Sequence, residues 1–412
     1  MSETTVALAF SGGLDTTVSV PLLKEEYGYE DVIGVTVDVG QPRAEFDEAT
    51  ETAEALGLEH HVVDATEEFA DVCFDAVRAN ATYQGYPLGT AIARPVIAEK
   101  ILEVAIDEGA TALAHGATGK GNDQLRFEAV WRQSDLDVIA PIRELGLTRE
   151  WEIEYAEEKG LPVDAGNDGE WSIDSNLWSR SVEGGDLEDP SSVPTEDIYE
   201  WTESPTGETA TVEIDFEAGV PVAVDGEGMD PVDLIEYLND LAGQYGVGRT
   251  DLMEDRMLGL KVRENYEHPA ATTLLAAHEA LEGLVLTRDE RQFKTQIDQR
   301  WAEKAYEGLL SDPLVSALEG FIDETQTAVT GSVTIRFEGG QARPVARESE
   351  YSMYSESAAS FDTEGVLGDI TQADATGVAK YHGFQGRLAN AVGRTQATDS
   401  RELTADGGND EE

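Results

Sequence analysis

The sequence predicts an α/β amino-terminal domain, a doubly wound parallel sheet, followed by a carboxy-terminal α+β domain. Three observations predict it. Residues 1–165 alternate short β-branched runs with longer amphipathic stretches, the pattern of a parallel sheet covered by helices. A glycine-rich turn follows the first such run and opens the first amphipathic stretch. From Asp168 to about Glu208 the texture changes to Gly, Ser, Pro, Asp and Glu with scattered Trp, and regular periodicity resumes beyond it.

In order, strands are expected at 5–10, 32–37, 61–64, 111–115 and 138–141, with helices between them at 15–26, 45–56, 67–80, 91–108 and 148–159. The second domain begins with alternating strands at 211–216 and 220–224. Asp230-Pro231, an N-cap residue before a first-turn proline, then opens a helix over 231–245. Helices at 270–286 and 288–310, strands at 332–337 and 342–348, and an amphipathic segment at 378–392 complete it. The expected organisation is therefore a first domain at 1–165 and a second at 166–377, whose residues 166–209 form a long connection. A helix at 378–397 and an acidic, disordered tail at 398–412 follow.

The 412 residues carry 84 acidic and 28 basic side chains, a formal net charge of −56. That excludes an unassisted nucleic-acid binder. The acid excess runs the whole length and the basic residues divide into 20 Arg and 8 Lys, which reads as adaptation to concentrated salt. At molar ionic strength the Debye length is about 3 Å, so repulsion between surface carboxylates is largely screened. With 40% apolar residues the chain still has material for a substantial core. The single cysteine, Cys73, excludes an intrachain disulfide and reads as a buried, inert thiol. The amino terminus lacks a basic, apolar leader, and no run of about 18 apolar residues exists, so a soluble cytoplasmic protein without membrane spans is expected. His60, His61, His268, His278 and His382 read as surface or packing residues, and with no HExxH or CxxC pattern no side chain is assigned to a metal.

Two loops carry chemistry. Ala9-Phe10-Ser11-Gly12-Gly13-Leu14-Asp15-Thr16-Thr17 lies between the first strand and first helix. Two glycines let amides turn inward, three hydroxyls add donors, and the positive end of the helix dipole points at a bound anion. A bare SGG is commonly an empty turn; the full string in this context favours an anion site. It is neither GxxxxGK[ST] nor GxGxxG. The second loop, His115-Gly116-Ala117-Thr118-Gly119-Lys120-Gly121-Asn122-Asp123-Gln124-Leu125-Arg126-Phe127-Glu128, follows the fourth strand, at the sheet end where open α/β folds bind ligands. Lys120 offers a point charge to phosphate, and Asn122, Asp123 and Arg126 offer mixed donors and acceptors. His115 abuts this loop without an assignable role.

The first loop resembles the pyrophosphatase-type loop of ATP-dependent adenylating enzymes. Together with Tyr86-Pro87-Leu88-Gly89-Thr90, Ala93-Arg94-Pro95, the second loop, Trp171-Ser172-Ile173-Asp174 with Asn176-Leu177, Gly246-Val247-Gly248-Arg249, and Glu254-Asp255-Arg256 through Gly259-Leu260-Lys261 to Tyr266-Glu267, it resembles the argininosuccinate synthases over roughly residues 5 to 390. The resemblance implies an arginine-biosynthetic ligase that condenses citrulline and aspartate through a citrullyl-adenylate, releasing AMP and pyrophosphate. It assigns Ala9, Phe10, Ser11, Gly12, Gly13, Leu14, Asp15, Thr16, Thr17, Val37 at the adenine and Gly116 to ATP, which arrives with Mg²⁺. It assigns Tyr86, Asn122, Arg126, Ser172, Ser181, Glu254 and Tyr266 to citrulline, and Thr118, Asn122 and Asp123 to aspartate. Asp15 and Lys120 would stabilise charge. It further implies a homotetramer assembled through the carboxy-terminal helix.

Two positions depart from the family pattern. Ala91 stands where a citrulline-contacting Ser is usual, so that contact is lost or moves to Thr90, and Thr17 replaces a Ser while keeping the hydroxyl. Other users of an SGGxDT loop fit less well. The tRNA thiolases need reactive cysteines and a basic surface, glutamine-dependent synthetases need an amidotransferase cysteine, and a nucleotide sensor could dispense with the second domain.

Overall fold

The computed structural model describes residues 4–163, 171–360, 365–368 and 370–393, so the acidic tail at 398–412 lies outside the described residues. The chain forms two compact units, Met1–Met353 and Tyr354–Glu412.

In the first unit β1 (Thr5–Ala9) leads into α1 (Leu14–Glu25), and the alternation continues through β2 (Asp31–Asp38), α2 (Arg43–Leu56), β3 (Glu59–Asp64) and α3 (Thr66–Arg78). A small hairpin, β4 (Thr82–Tyr83) and β5 (Tyr86–Pro87), precedes α4 (Thr90–Asp107), β6 (Ala112–His115), α5 (Asp123–Trp131), β7 (Asp137–Ile139), α6 (Pro141–Glu144) and α7 (Arg149–Lys159). Five of these strands make a parallel sheet in the order β3-β2-β1-β6-β7. The chain reverses its direction of travel between β1 and β6. Both glycine-rich loops emerge at that switch point, at the carboxyl ends of the two strands, where open α/β folds bind ligands.

Strand alternation sends Val6, Leu8 and Val32 to one face, against Leu23 and Ala53, and Ala7, Ile33, Val35 and Val37 to the other, against Phe69, Cys73 and Val77. Burying each large apolar side chain contributes about 1.5–3 kcal/mol. Cys73 is fully buried and its thiol is pushed up by burial, which keeps it protonated and unreactive.

All five expected strands lie in this sheet. The fifth stops at Ile139, short of 141, because Pro141 has no N–H for the ladder and instead opens α6 at its first position. The second loop is shorter than it reads: Asp123–Trp131 is helical and buries Phe127, Val130 and Trp131 on one face.

The remainder of the unit runs β8 (Ser172–Ser175), β9 (Arg180–Glu183), β10 (Thr209–Glu217), β11 (Val220–Val224), β12 (Glu227–Gly228), α8 (Pro231–Gly243), β13 (Arg249–Asp255), β14 (Lys261–Glu267), α9 (Pro269–Val285), α10 (Arg288–Tyr306), α11 (Pro313–Gln326), β15 (Gly331–Glu338) and β16 (Gln341–Glu348). One antiparallel sheet, β12-β11-β10-β15-β16, buries Val212, Ile214, Phe216, Val333, Ile335 and Phe337 in the same core as Leu274 and Leu281 of α9. A second, β13-β14-β9-β8, carries candidate site residues. Two of its strands correct the expectation of an irregular stretch from 168 to 208. Each is only four residues long, and the partner of β9 lies far along the chain, with Ser181 opposite Tyr266. The sequence reading also missed β13 and β14, whose charged residues mask their alternation, and α11.

In the second unit, α12 (Glu356–Ala359) precedes the antiparallel pair β17 (Gly365–Leu367) and β18 (Ile370–Thr371), then α13 (Ala375–Tyr381) and α14 (Phe384–Ala391). The amphipathic stretch at 378–392 is thus two helices, separated at Gly383, whose φ of +67° suits glycine. Among the described residues no helix is long and apolar enough to cross a membrane.

Candidate active site

The turn after β1 is built to leave amides open. Gly13 occupies the N-cap of α1 and no side chain caps that helix, so its first N–H groups face outward with the positive end of the dipole behind them. Gly12 has a φ of +77°, and a Cβ there would meet the Ala49 Cα at 2.7 Å, so the turn is pressed against α2. Ser11 is exposed and its Oγ lies 3.2 Å from Thr16 Oγ1. Thr17 differs: it is fully buried and donates to the Gly12 carbonyl at 3.2 Å, so its hydroxyl braces the turn. Leu14, Phe10 and Val37 are buried too, Val37 in the core beside the carboxyl end of β2. Asp15 is paired with Glu152 of α7.

Gly116 brings the second loop to the first, since a Cβ there would lie 3.1 Å from the Asp15 carbonyl carbon. His115 acquires a local role here. Its Nδ1 accepts from the Ala117 N–H at 3.2 Å, turning the chain at the strand end, and its Nε2 faces Glu128 at 3.4 Å. The His115 hydrogen bond, with Arg132 and Arg143, holds the Glu128 carboxyl down at about 2 against the effect of burial. Thr118 and Lys120 are exposed, and the Lys120 side chain has no ion pair among the described residues.

Asn122 and Asp123 point to different partners. Asn122 Nδ2 donates to the Tyr306 hydroxyl at 2.8 Å while its Oδ1 accepts from the Met257 N–H at 3.1 Å. Asp123 accepts from Arg94 Nε at 2.8 Å and Arg126 Nη1 at 3.1 Å. Burial pushes its carboxyl up, but the two guanidinium groups outweigh that and the net shift is downward. Arg94 also reaches Asp174 of β8.

Glu254 collects three phenols. Tyr86 and Tyr266 donate to Oε2 at 2.6 and 2.9 Å, and Tyr306 donates to Oε1 at 2.6 Å. The rings of Tyr86 and Tyr266 stack at 4.5 Å. Sheet register sets the neighbours: Tyr266 pairs with Ser181, and Ser181 with Asp174, so these residues form a row across β14, β9 and β8. Ser172 lies exposed at the start of β8.

The residues singled out in the sequence thus fall mainly into two groups joined along the second loop: the β1 turn with Gly116, and Asn122, Asp123 and Arg126 with Tyr86, Ser181, Glu254 and Tyr266. Thr118, Lys120 and Ser172 are exposed. A concavity lined by Tyr29, Arg132, Ser134 and Asp137 lies apart from them, towards the amino ends of β2 and β7. Arg94, Asp174 and Tyr306 were missed as site residues. Arg94 and Asp174 sit in segments already conspicuous in the sequence, and their opposite charges were a usable signal. Tyr306 closes a long helix with no motif around it. His60, His268 and His278 bond to Thr36, Thr250 and Asn80, as packing residues do.

Two family models cover this chain. Residues 5–162 match the Arginosuccinate synthase N-terminal HUP domain and residues 171–389 the Arginosuccinate synthase C-terminal domain. The argininosuccinate synthase of Halobacterium salinarum is 76% identical over 95% of this chain and 99% of its own length. That of Natronomonas pharaonis is 75% identical over 94% and 97%. That of Methanosarcina acetivorans is 57% identical over 94% and 98%.

Proposed function

The chain belongs to the argininosuccinate synthase family, and from that premise we propose how its own residues carry the reaction. It is an ATP-dependent ligase that joins citrulline to aspartate in arginine biosynthesis. Gly116 against Asp15, and Asn122 six residues further along the same loop, tied through Tyr306 to Glu254, support the residue roles, because one loop serves both an anion-binding turn and a cluster suited to amino acids.

In the first step the citrulline ureido oxygen attacks the α-phosphorus of ATP, forming a P–O bond as the bond to pyrophosphate breaks. In the second the aspartate amine attacks the activated carbon, loses a proton, and the C–O bond to AMP breaks. No residue serves as a covalent nucleophile, so catalysis consists of positioning and charge stabilisation. Residues 9–17 and Gly116 hold ATP, with Val37 at the adenine; the open amides of α1 take the leaving pyrophosphate, and the unpaired Lys120 closes onto phosphate. Tyr86, Asn122, Arg126, Ser172, Ser181, Glu254 and Tyr266 hold citrulline. Thr118, Asn122 and Asp123 hold aspartate, and Asp123, kept anionic by Arg94 and Arg126, suits an ammonium group.

The Thr90 hydroxyl is buried beside the Asp174 carboxylate, to which it is a donor, and this place beside the site supports its taking the citrulline contact that Ala91 cannot make. Asp15, Ser11 and Thr16 offer the hard oxygen donors that Mg²⁺ takes, and the ion would neutralise phosphate charge when bound with ATP. Residues 1–165 act as the ATP-binding domain and 166–377 as the synthetase domain. The exposed apolar residues Val378, Tyr381, Phe384, Leu388 and Val392 of the second unit support a homotetramer, and the enzyme works in a salt-rich cytoplasm.

The test is pyrophosphate release from MgATP in molar KCl with citrulline, aspartate or both. Release that requires citrulline, with argininosuccinate forming only when aspartate is added, is expected. Release driven by aspartate alone would overturn the order of steps, and a monomer in light scattering at that salt would remove the tetramer.

A further inference from the structure

Tyr306 ends α10 and is 2% exposed, and nothing in the family resemblance gives it a role. Its phenol has one proton to donate and faces three groups. The Glu254 carboxylate oxygen at 2.6 Å is the closer acceptor, whereas the Asp255 carbonyl stands at 3.2 Å, so the proton goes to Glu254. The phenol oxygen is then left to accept, and Asn122 Nδ2 lies 2.8 Å away. The orientation of that carboxamide is fixed independently, because its oxygen accepts from the Met257 N–H and its nitrogen must therefore face Tyr306. A directed chain results, from the Asn122 amide through the Tyr306 hydroxyl to the Glu254 carboxylate. Each bond in such a chain polarises the next.

The rest of the residue is held still. Its ring stacks on Tyr83 at 3.7 Å, its carbonyl accepts from Arg126 Nε at 3.1 Å, and the Arg126 guanidinium lies over the ring at 5.2 Å. Gly308 lets the end of α10 come this close: a Cβ there would meet the Arg126 Cα at 2.9 Å. Burial, then the Glu254 carboxylate, pushes the phenol far above its ordinary range, so it remains a donor at any working pH.

We propose that Tyr306 is a positioning residue that couples the citrulline and aspartate sites, by tying Glu254 to Asn122, the residue both amino acids share. This rests on the residue roles given above. A ligand that orders Glu254 also orders the Asn122 amide, so citrulline prepares the site for aspartate, and by reciprocity aspartate prepares it for citrulline.

The test uses the full chain in molar KCl with a non-hydrolysable ATP analogue and titration calorimetry of aspartate, with and without saturating citrulline. In the unmodified enzyme citrulline should tighten aspartate binding by at least about threefold. Tyr306→Phe keeps the stacking and the Arg126 contact but removes the hydroxyl, and the ratio should fall to about one. A ratio of one in the unmodified enzyme, or an unchanged ratio in the variant, overturns the coupling. The first measurement can overturn the coupling on its own, and Tyr306→Trp, which also lacks the hydroxyl, repeats the second if the Phe variant folds poorly. Failure of the underlying site reading looks different: citrulline would neither bind nor trigger pyrophosphate release in the unmodified enzyme.

Discussion

Arg94 donates through Nε to the Asp123 carboxylate at 2.8 Å while its Nη2 reaches Asp174 at 2.5 Å, so one guanidinium from α4 joins the start of α5 to the β8 strand. The two acids approach from different elements, and only a planar fork serves both. Arg94→Lys keeps the charge but loses the fork. In Arg94→Ala both carboxylates lose a partner and Asp123 is left with Arg126 alone. The aspartate KM should rise about tenfold or more in Arg94→Ala and by a smaller factor in Arg94→Lys, a tenfold change being about 1.4 kcal/mol. Steady-state kinetics in molar KCl would check this, and an equal rise in the ATP KM would show that Arg94 acts through the fold as a whole.

Thr90 and Ala91 make a paired prediction. The Thr90 hydroxyl is buried beside the Asp174 carboxylate, the Ser179 hydroxyl is buried without a partner among the described residues, and Gly89 packs so closely that a Cβ would lie against Ser179 Oγ. Leaving a buried acceptor short of a donor costs about 1–3 kcal/mol. Thr90→Val removes a donor from the Asp174 carboxylate, so it should lower the melting temperature of the ligand-free enzyme while raising the citrulline KM about tenfold. Ala91→Ser should change neither much, since residue 91 is buried at the first turn of α4 and Thr90 already serves. A citrulline KM unmoved by Thr90→Val would remove Thr90 from the site.

Much of this arrangement was legible because it is local. β-branched runs mark the parallel strands, and glycines mark loops whose amides must approach a ligand. What could not be read is non-local. Arg180–Glu183 is a strand because β14 lies beside it and Ser172–Ser175 because β9 does, and four residues carry too little alternation to announce it. The α5 helix hides behind the Gly-Lys-Gly-Asn run that precedes it. Tyr306 is an aromatic residue on an amphipathic helix, a pattern shared by any core position, and only the meeting of α10 with α5 and β13 gives it partners.

The glycines of the two loops are not equivalent. Gly12 combines a φ of +77° with backbone 2.7 Å from where a Cβ would stand, whereas Gly121 has open space around it and no positive φ. Gly12→Ala adds a left-handed penalty of about 1–2 kcal/mol to an overpacking cost of about 1–3 kcal/mol, because α2 must move. It should lower the melting temperature and weaken ATP binding severely. Gly121→Ala should stay within about 0.5 kcal/mol of the parent. Thermal melts and nucleotide titration of the two variants would check the contrast, and equal behaviour would mean that the turn does not depend on its contact with α2.

Glu152 sets a pH dependence. It is 2% exposed, and burial, then the charge of Asp15 and a hydrogen bond to it, push its carboxyl up to about 8, with Arg149 opposing. At neutral pH it is therefore protonated and donates to Asp15. Above pH 8 it ionises, placing a second negative charge behind the phosphate-binding turn, so the ATP KM should rise there. Stability follows the same proton. An unfolded Glu titrates near about 4.3, so between that pH and about 8 the folded state holds one more proton than the unfolded state. Stability then falls with rising pH across that window, by up to about 1.4 kcal/mol per unit, and is level above it. Glu152→Gln keeps a neutral donor facing Asp15 at every pH. Its melting temperature should fall less steeply between pH 5 and 8, and its ATP KM should stay flat from pH 7 to 9. Superimposable profiles for the variant and the parent would show that Glu152 does not carry this proton.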